Sequence, residues 1–150
     1  MSGIQFLASS KPFKMPDEIE NYNSRGINEM GMCFSVYQTD KWWREIIQPI
    51  LTMPYIYEVS GVGNHYFFVY LEKYMDTGDV IELYQMPVQH WYETYIQRVL
   101  ENPEPILINI GSYTYQNQYG TYQLNPKNWV EELNHRTLIT ERGVTTIVNY

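Results

Sequence analysis

The 150-residue chain holds one cysteine, Cys33, and three histidines, His65, His90 and His135. A single thiol excludes an intramolecular disulfide, and with no basic, apolar leader at the N-terminus the expected compartment is the cytoplasm. Cys33 sits between Met32 and Phe34 and reads as a core residue. Lys and Arg number 10 against 17 Asp and Glu, a net charge of −7. That balance argues against nucleic-acid and anionic-membrane partners, both of which need clustered cations, and favours a basic protein partner. No apolar run approaches the ~20 residues of a membrane-spanning helix.

The chemistry motifs are missing too. There is no GxxxxGK[ST], no GxGxxG, no GxSxG, no HExxH and no CxxC. Gly61-Val62-Gly63 lacks a third glycine and is read as joining two strands, which excludes a dinucleotide loop. The scattered histidines predict no metal site, and no cofactor is expected.

What the chain has in plenty is aromatic surface: 15 Tyr, 4 Trp and 5 Phe. Tyrosine suits half-wet sheet faces and recognition surfaces alike. At 44% hydrophobic and 18% charged the composition is that of a globular protein. The length fits one domain, 1–150.

Read along the chain, Ile4 to Ala8 is a strand and Pro16-Asp17-Glu18 opens a short helix with Ile19 and Tyr22 inward. Met30 to Gln38 is a strand. Thr39 or Asp40 caps a helix whose core stripe is Trp43, Ile46, Ile47 and Ile50, leaving Trp42 nearer the edge. Residues 54–86 are expected to form a central antiparallel meander. Its strands would be Tyr55 to Ser60, His65 to Tyr74 and Val80 to Met86, with turns at Gly61–Asn64 and Asp76–Asp79. Val88 to Glu101 is a helix. Ile106 to Gln118 is a long β segment, and Tyr113 to Gln116 pairs with Thr121 to Leu124 in an uncharged hairpin. Asn125-Pro126 starts a last helix carrying Trp129, Val130 and Leu133. Leu138 to Glu141 and Val144 to Asn149 form a closing hairpin. The expected fold is a single α+β domain: a mostly antiparallel sheet built round the meander, with about four helices packed on it.

Three functions follow as expectations. The first is non-enzymatic binding, an acidic module docking on a basic protein through Tyr113, Tyr115, Tyr119 and Tyr122. The second is a small enzyme using a His/Glu acid–base pair near the meander, with His65, His90, Glu58 and Glu82 as the candidate groups. The third is carbohydrate or small-ligand binding through the hairpin 112–125, where Tyr113, Gln116, Asn117, Gln118 and Tyr122 offer rings and neutral hydrogen bonds. Homodimerisation is compatible with each.

Overall fold

The N-terminal strand becomes the spine of the molecule because its two faces are both apolar. In the computed structural model, which describes residues 3–25, 31–87 and 91–150, β1 (Gly3–Ser9) turns Leu7 to one face and Phe6 and Ala8 to the other, all fully buried. A strand buried on both faces needs neighbours on both edges and helices above and below. It pairs antiparallel with β3 (Tyr55–Ser60) on one side and β4 (Val80–Pro87) on the other.

This overturns the central meander. Residues His65–Lys73 are not a strand but a helix, α3, and β3 and β4 are not neighbours, because β1 lies between them. Both run antiparallel to β1 and hence parallel to each other, and parallel strands require a crossover long enough for a helix. The buried residues of α3 are Phe67, Phe68, Tyr70 and Leu71, spaced i, i+1, i+3 and i+4, which is helical periodicity. Taken as a strand, His65, Phe67, Val69 and Leu71 would share one face and Tyr66, Phe68, Tyr70 and Glu72 the other, but neither set is polar throughout, so the alternation carries no strand signal. The turn into α3 depends on Gly61. Its φ is +92°, and a Cβ there would run into the Cys33 carbonyl oxygen.

The remaining elements are α1 (Asp17–Asn23), β2 (Ser35–Gln38), α2 (Lys41–Ile47), α4 (Tyr92–Glu101), β5 (Ile106–Asn109), β6 (Thr114–Asn117), β7 (Gly120–Gln123), α5 (Trp129–Asn134) and β8 (Thr145–Val148). The result is α+β, with five helices rather than four among the described residues. One sheet of eight strands runs in the order β2-β3-β1-β4-β8-β5-β6-β7. It is mostly antiparallel but mixed, since β5 and β8 pair in parallel. The expected closing hairpin is absent. Leu138 to Glu141 is not a strand, and β8 inserts instead between β4 and β5. The long segment from Ile106 breaks at Gly111 into β5 and β6, and β2 is shorter than Met30 to Gln38. The uncharged hairpin is present as β6–β7, with Tyr115 opposite Tyr122.

Each sheet face carries its own core. Leu7, Tyr57, Leu83, Ile108 and Ile147 pack under Ile19 of α1, Phe67 and Leu71 of α3, and Leu133 of α5. On the other face Phe6, Ala8, Ile56, Tyr84 and Met86 pack under Ile47 of α2 and Val99 of α4. Those two helices cover only part of that face, and at the β5 end Leu107 is 41% exposed. No helix among the described residues is long and apolar enough to cross a membrane.

Candidate functional site

α2 and α4 lie side by side, and the furrow between them is predominantly apolar. α2 starts where it does because the Asp40 carboxylate accepts a hydrogen bond from the Trp43 amide at 3.1 Å. It stops at Gln48, ahead of Pro49. Ile47 faces the sheet, while Trp42, 53% exposed, and Ile46 face the furrow. On α4, Val99 is the buried contact. Tyr92, Ile96 and Leu100, at i, i+4 and i+8, form one wall of a groove of about 510 Å³. Trp42 meets Tyr92 edge-on at 5.5 Å and Trp43 at 4.8 Å, and Trp43 reaches Phe6 of the sheet at 5.8 Å. The groove floor is therefore tied to the core.

The outer bank of the groove is the next row of α4: Glu93, Gln97 and Glu101. Gln97 donates to Glu101 at 2.9 Å. Neither glutamate makes an ion pair among the described residues. Lys41 is paired with Glu45 at 3.8 Å and Arg98 with Glu104 at 3.7 Å. Arg44 projects from the opposite side of α2 by helical spacing. The groove thus offers a strip of rings and aliphatic side chains bordered by two carboxylates that have no ion-pair partner among the described residues.

The residues singled out from sequence lie elsewhere. Glu58 and Glu82 are register partners of Phe6 and Ala8, so they share the α2–α4 face. His65 begins α3 on the opposite face, and the sheet separates it from both. His90 lies outside the described residues. Glu82 is buried and accepts from the Met53 amide at 2.7 Å and the Thr52 hydroxyl at 2.9 Å, which makes it a strut for the loop after α2. His65 does line a polar cleft of about 580 Å³ with Phe68 and Glu72 of α3 and Lys127, Glu131 and Asn134 around α5. The first amides of α3 do not open into it as an anion site. Those of His65 and Tyr66 donate to the Gly31 and Met32 carbonyls at 3.2 and 3.1 Å. Among the described residues no group of three or more His, Cys, Asp or Glu could hold a metal ion.

The hairpin tyrosines divide. Tyr115 is core: it is 2% exposed and its hydroxyl donates to the Thr137 carbonyl at 2.7 Å, with burial pushing the phenol pKa up. Tyr113 is half-buried against Trp129 and holds a left-handed backbone, φ 59°. Tyr119 and Tyr122 are exposed, Tyr122 lying under the Arg136 guanidinium at 4.5 Å. The hollow at Tyr115, Asn117, Gln118 and Tyr119 measures only about 200 Å³, small for a sugar.

No protein-family model, curated protein or solved structure matches the chain. Function must be argued from the surface itself. The groove escaped sequence reading because the apolar residues of α4 form one broad stripe that spacing alone does not divide between the sheet and a furrow. The signal that could have found it was width: Tyr92, Ile96 and Leu100 extend that stripe further round the helix than one sheet contact can cover.

Proposed function

We propose that the chain is a non-enzymatic binding module whose α2–α4 groove receives an amphipathic helix with a basic flank, supplied by a protein partner. The observation that carries this reading is the parallel arrangement on α4 of an apolar row, Tyr92, Ile96 and Leu100, and an acidic row, Glu93 and Glu101. A helix laid along the furrow would bury i, i+3, i+4 and i+7 apolar anchors against Trp42, Ile46, Ile96 and Leu100. Lys or Arg one row away would meet the two carboxylates. The net charge of −7 steers such a partner in from a distance.

The charge pattern disfavours a second copy of the chain as the occupant. Antiparallel pairing of two α4 helices sets Glu93 of one against Glu101 of the other, and like charges brought together count against a pairing. The enzyme reading gains no such support, since His65 is separated from Glu58 and Glu82 by the sheet.

The test is a titration with two synthetic helical peptides of equal apolar content, one with Lys and one with Glu on the polar flank. Saturable binding of the Lys peptide, weakening as salt rises and lost in Trp42→Ala, supports the reading. Equal binding of both peptides, or binding unchanged in Trp42→Ala, overturns it.

A further inference from the structure

We infer that two copies of this chain join through the free edge of β7, extending the sheet antiparallel across a two-fold axis at Tyr122. β7 is the last strand of the sheet, and all four of its residues are exposed. An edge strand presents unpaired backbone groups, and proteins that stay apart guard such edges with charge, proline or a covering segment. This edge has none of the sequence guards. Between Pro105 and Pro126 there is no Asp, Glu, Lys, Arg or His, and no proline between those two. In a chain of net charge −7, this uncharged stretch keeps the acidic groups out of the pairing, and the cation beside it is Arg136, stacked on Tyr122.

The hydrogen-bond phase of the hairpin fixes which groups point outward. The Leu124 amide donates to the Tyr113 carbonyl at 2.7 Å, so Tyr113 and Leu124 are a hydrogen-bonded pair. Bonded and non-bonded pairs alternate along an antiparallel ladder. In the observed register Tyr115–Tyr122 and Asn117–Gly120 are therefore bonded, and Thr114–Gln123 and Gln116–Thr121 are not. The N–H and C=O of Thr121 and Gln123 are directed away from β6, toward the free edge.

Those four groups are self-complementary. With Tyr122 facing Tyr122 of the second copy on the axis, Thr121 lies opposite Gln123 of the second copy, and Gln123 opposite its Thr121. Each of these pairs exchanges two N–H···O bonds, four in all. The Tyr122 pair is then a non-bonded pair, where side chains approach most closely. Its two rings extend the face on which Arg136 already covers Tyr122. A two-fold contact of β7 with β7 uses up that edge in both copies, so this contact does not propagate by itself.

The decisive readout needs no variant: amide hydrogen exchange of the full chain at increasing protein concentration. The Thr121 and Gln123 amides exchange rapidly when dilute and slow by about tenfold or more when concentrated. The Tyr122 amide, bonded to β6, is protected throughout. Light scattering follows the same transition, and added salt favours the dimer by screening the two acidic copies. This is opposite in sign to the salt effect on the groove, so the two proposals fail independently. Thr121→Pro removes one outward donor, and Thr121→Asp sets a charge on the edge while keeping the amide; either variant, still folded, remains monomeric. Concentration-independent exchange at Thr121 and Gln123 overturns the inference. So does a dimer that both variants leave intact, or protection of the edge only when a foreign extended peptide is added, which would assign it to a partner strand.

Discussion

The Trp42 indole stands edge-on to the Tyr92 ring, centroids 5.5 Å apart, and this contact joins α2 to α4 in the wall of the groove. Because Trp42 is 53% exposed, removing it uncovers little core. Trp42→Ala is expected to cost about 1 kcal/mol in unfolding free energy, the scale of an aromatic pair. The same change lowers affinity for a basic amphipathic helix by tenfold or more, roughly the loss of an aromatic anchor. Chemical denaturation and calorimetric titration on the same sample separate the two effects.

Glu93 and Glu101 give a complementary test. They border the groove and make no ion pair among the described residues. Replacing both by Lys changes stability by only about 0.5 kcal/mol, as surface substitutions do. It also reverses the preference between Lys-flanked and Glu-flanked peptides. A preference that survives the double reversal places recognition elsewhere.

Gly61 and Gly78 share a φ of +92° but differ in surroundings: a Cβ at Gly61 meets the Cys33 carbonyl oxygen, whereas one at Gly78 meets nothing within 4 Å. Gly78→Ala therefore costs only the left-handed backbone, about 1–2 kcal/mol. Gly61→Ala must also displace the strand-to-helix turn and costs more, on the order of 3 kcal/mol or above. Equal melting temperatures for the two variants would refute this account of the β3–α3 junction.

Buried phenols set the alkaline limit of stability. Desolvation moves Tyr70 from an ordinary 10.0 to about 12, and it also raises Tyr84 and Tyr115. Above pH ~10 the unfolded chain loses these protons while the folded chain keeps them. The unfolded state then binds fewer protons and stability falls as pH rises. Stability is expected to be insensitive to these groups below pH ~10 and to decline steadily between about pH 10 and 12. Phenolate absorbance from the buried set, Tyr70, Tyr84 and Tyr115, should appear only as the fold opens.

Much of the fold was legible in the sequence where burial is one-sided. The cap at Asp40, the buried Ile47 of α2, the inward Ile19 and Tyr22 of α1, and the β6–β7 hairpin stand as the residue patterns imply, whereas Ile46 turns to the groove and Ile50 lies beyond the end of α2. The reading failed at His65–Lys73, where aromatic and β-branched residues suggested a strand. Strand preference in such residues reflects packing on a pleated surface rather than the backbone itself. Asn64 before the run and Lys73 in its last turn were the helical signals available. The order β3-β1-β4, which demands a crossover, is a long-range fact that no local pattern carries. It also disperses the sequence-selected site, putting His65 on one face and Glu58 and Glu82 on the other.

The groove is tested most directly by mapping backbone amide shifts while a Lys-flanked amphipathic helical peptide is added. The account predicts saturable changes concentrated on α2 and α4, centred on Trp42, Ile46, Ile96 and Leu100, with the β6–β7 hairpin unmoved. Changes centred on Tyr119 and Tyr122, or no changes at saturating peptide, would contradict it.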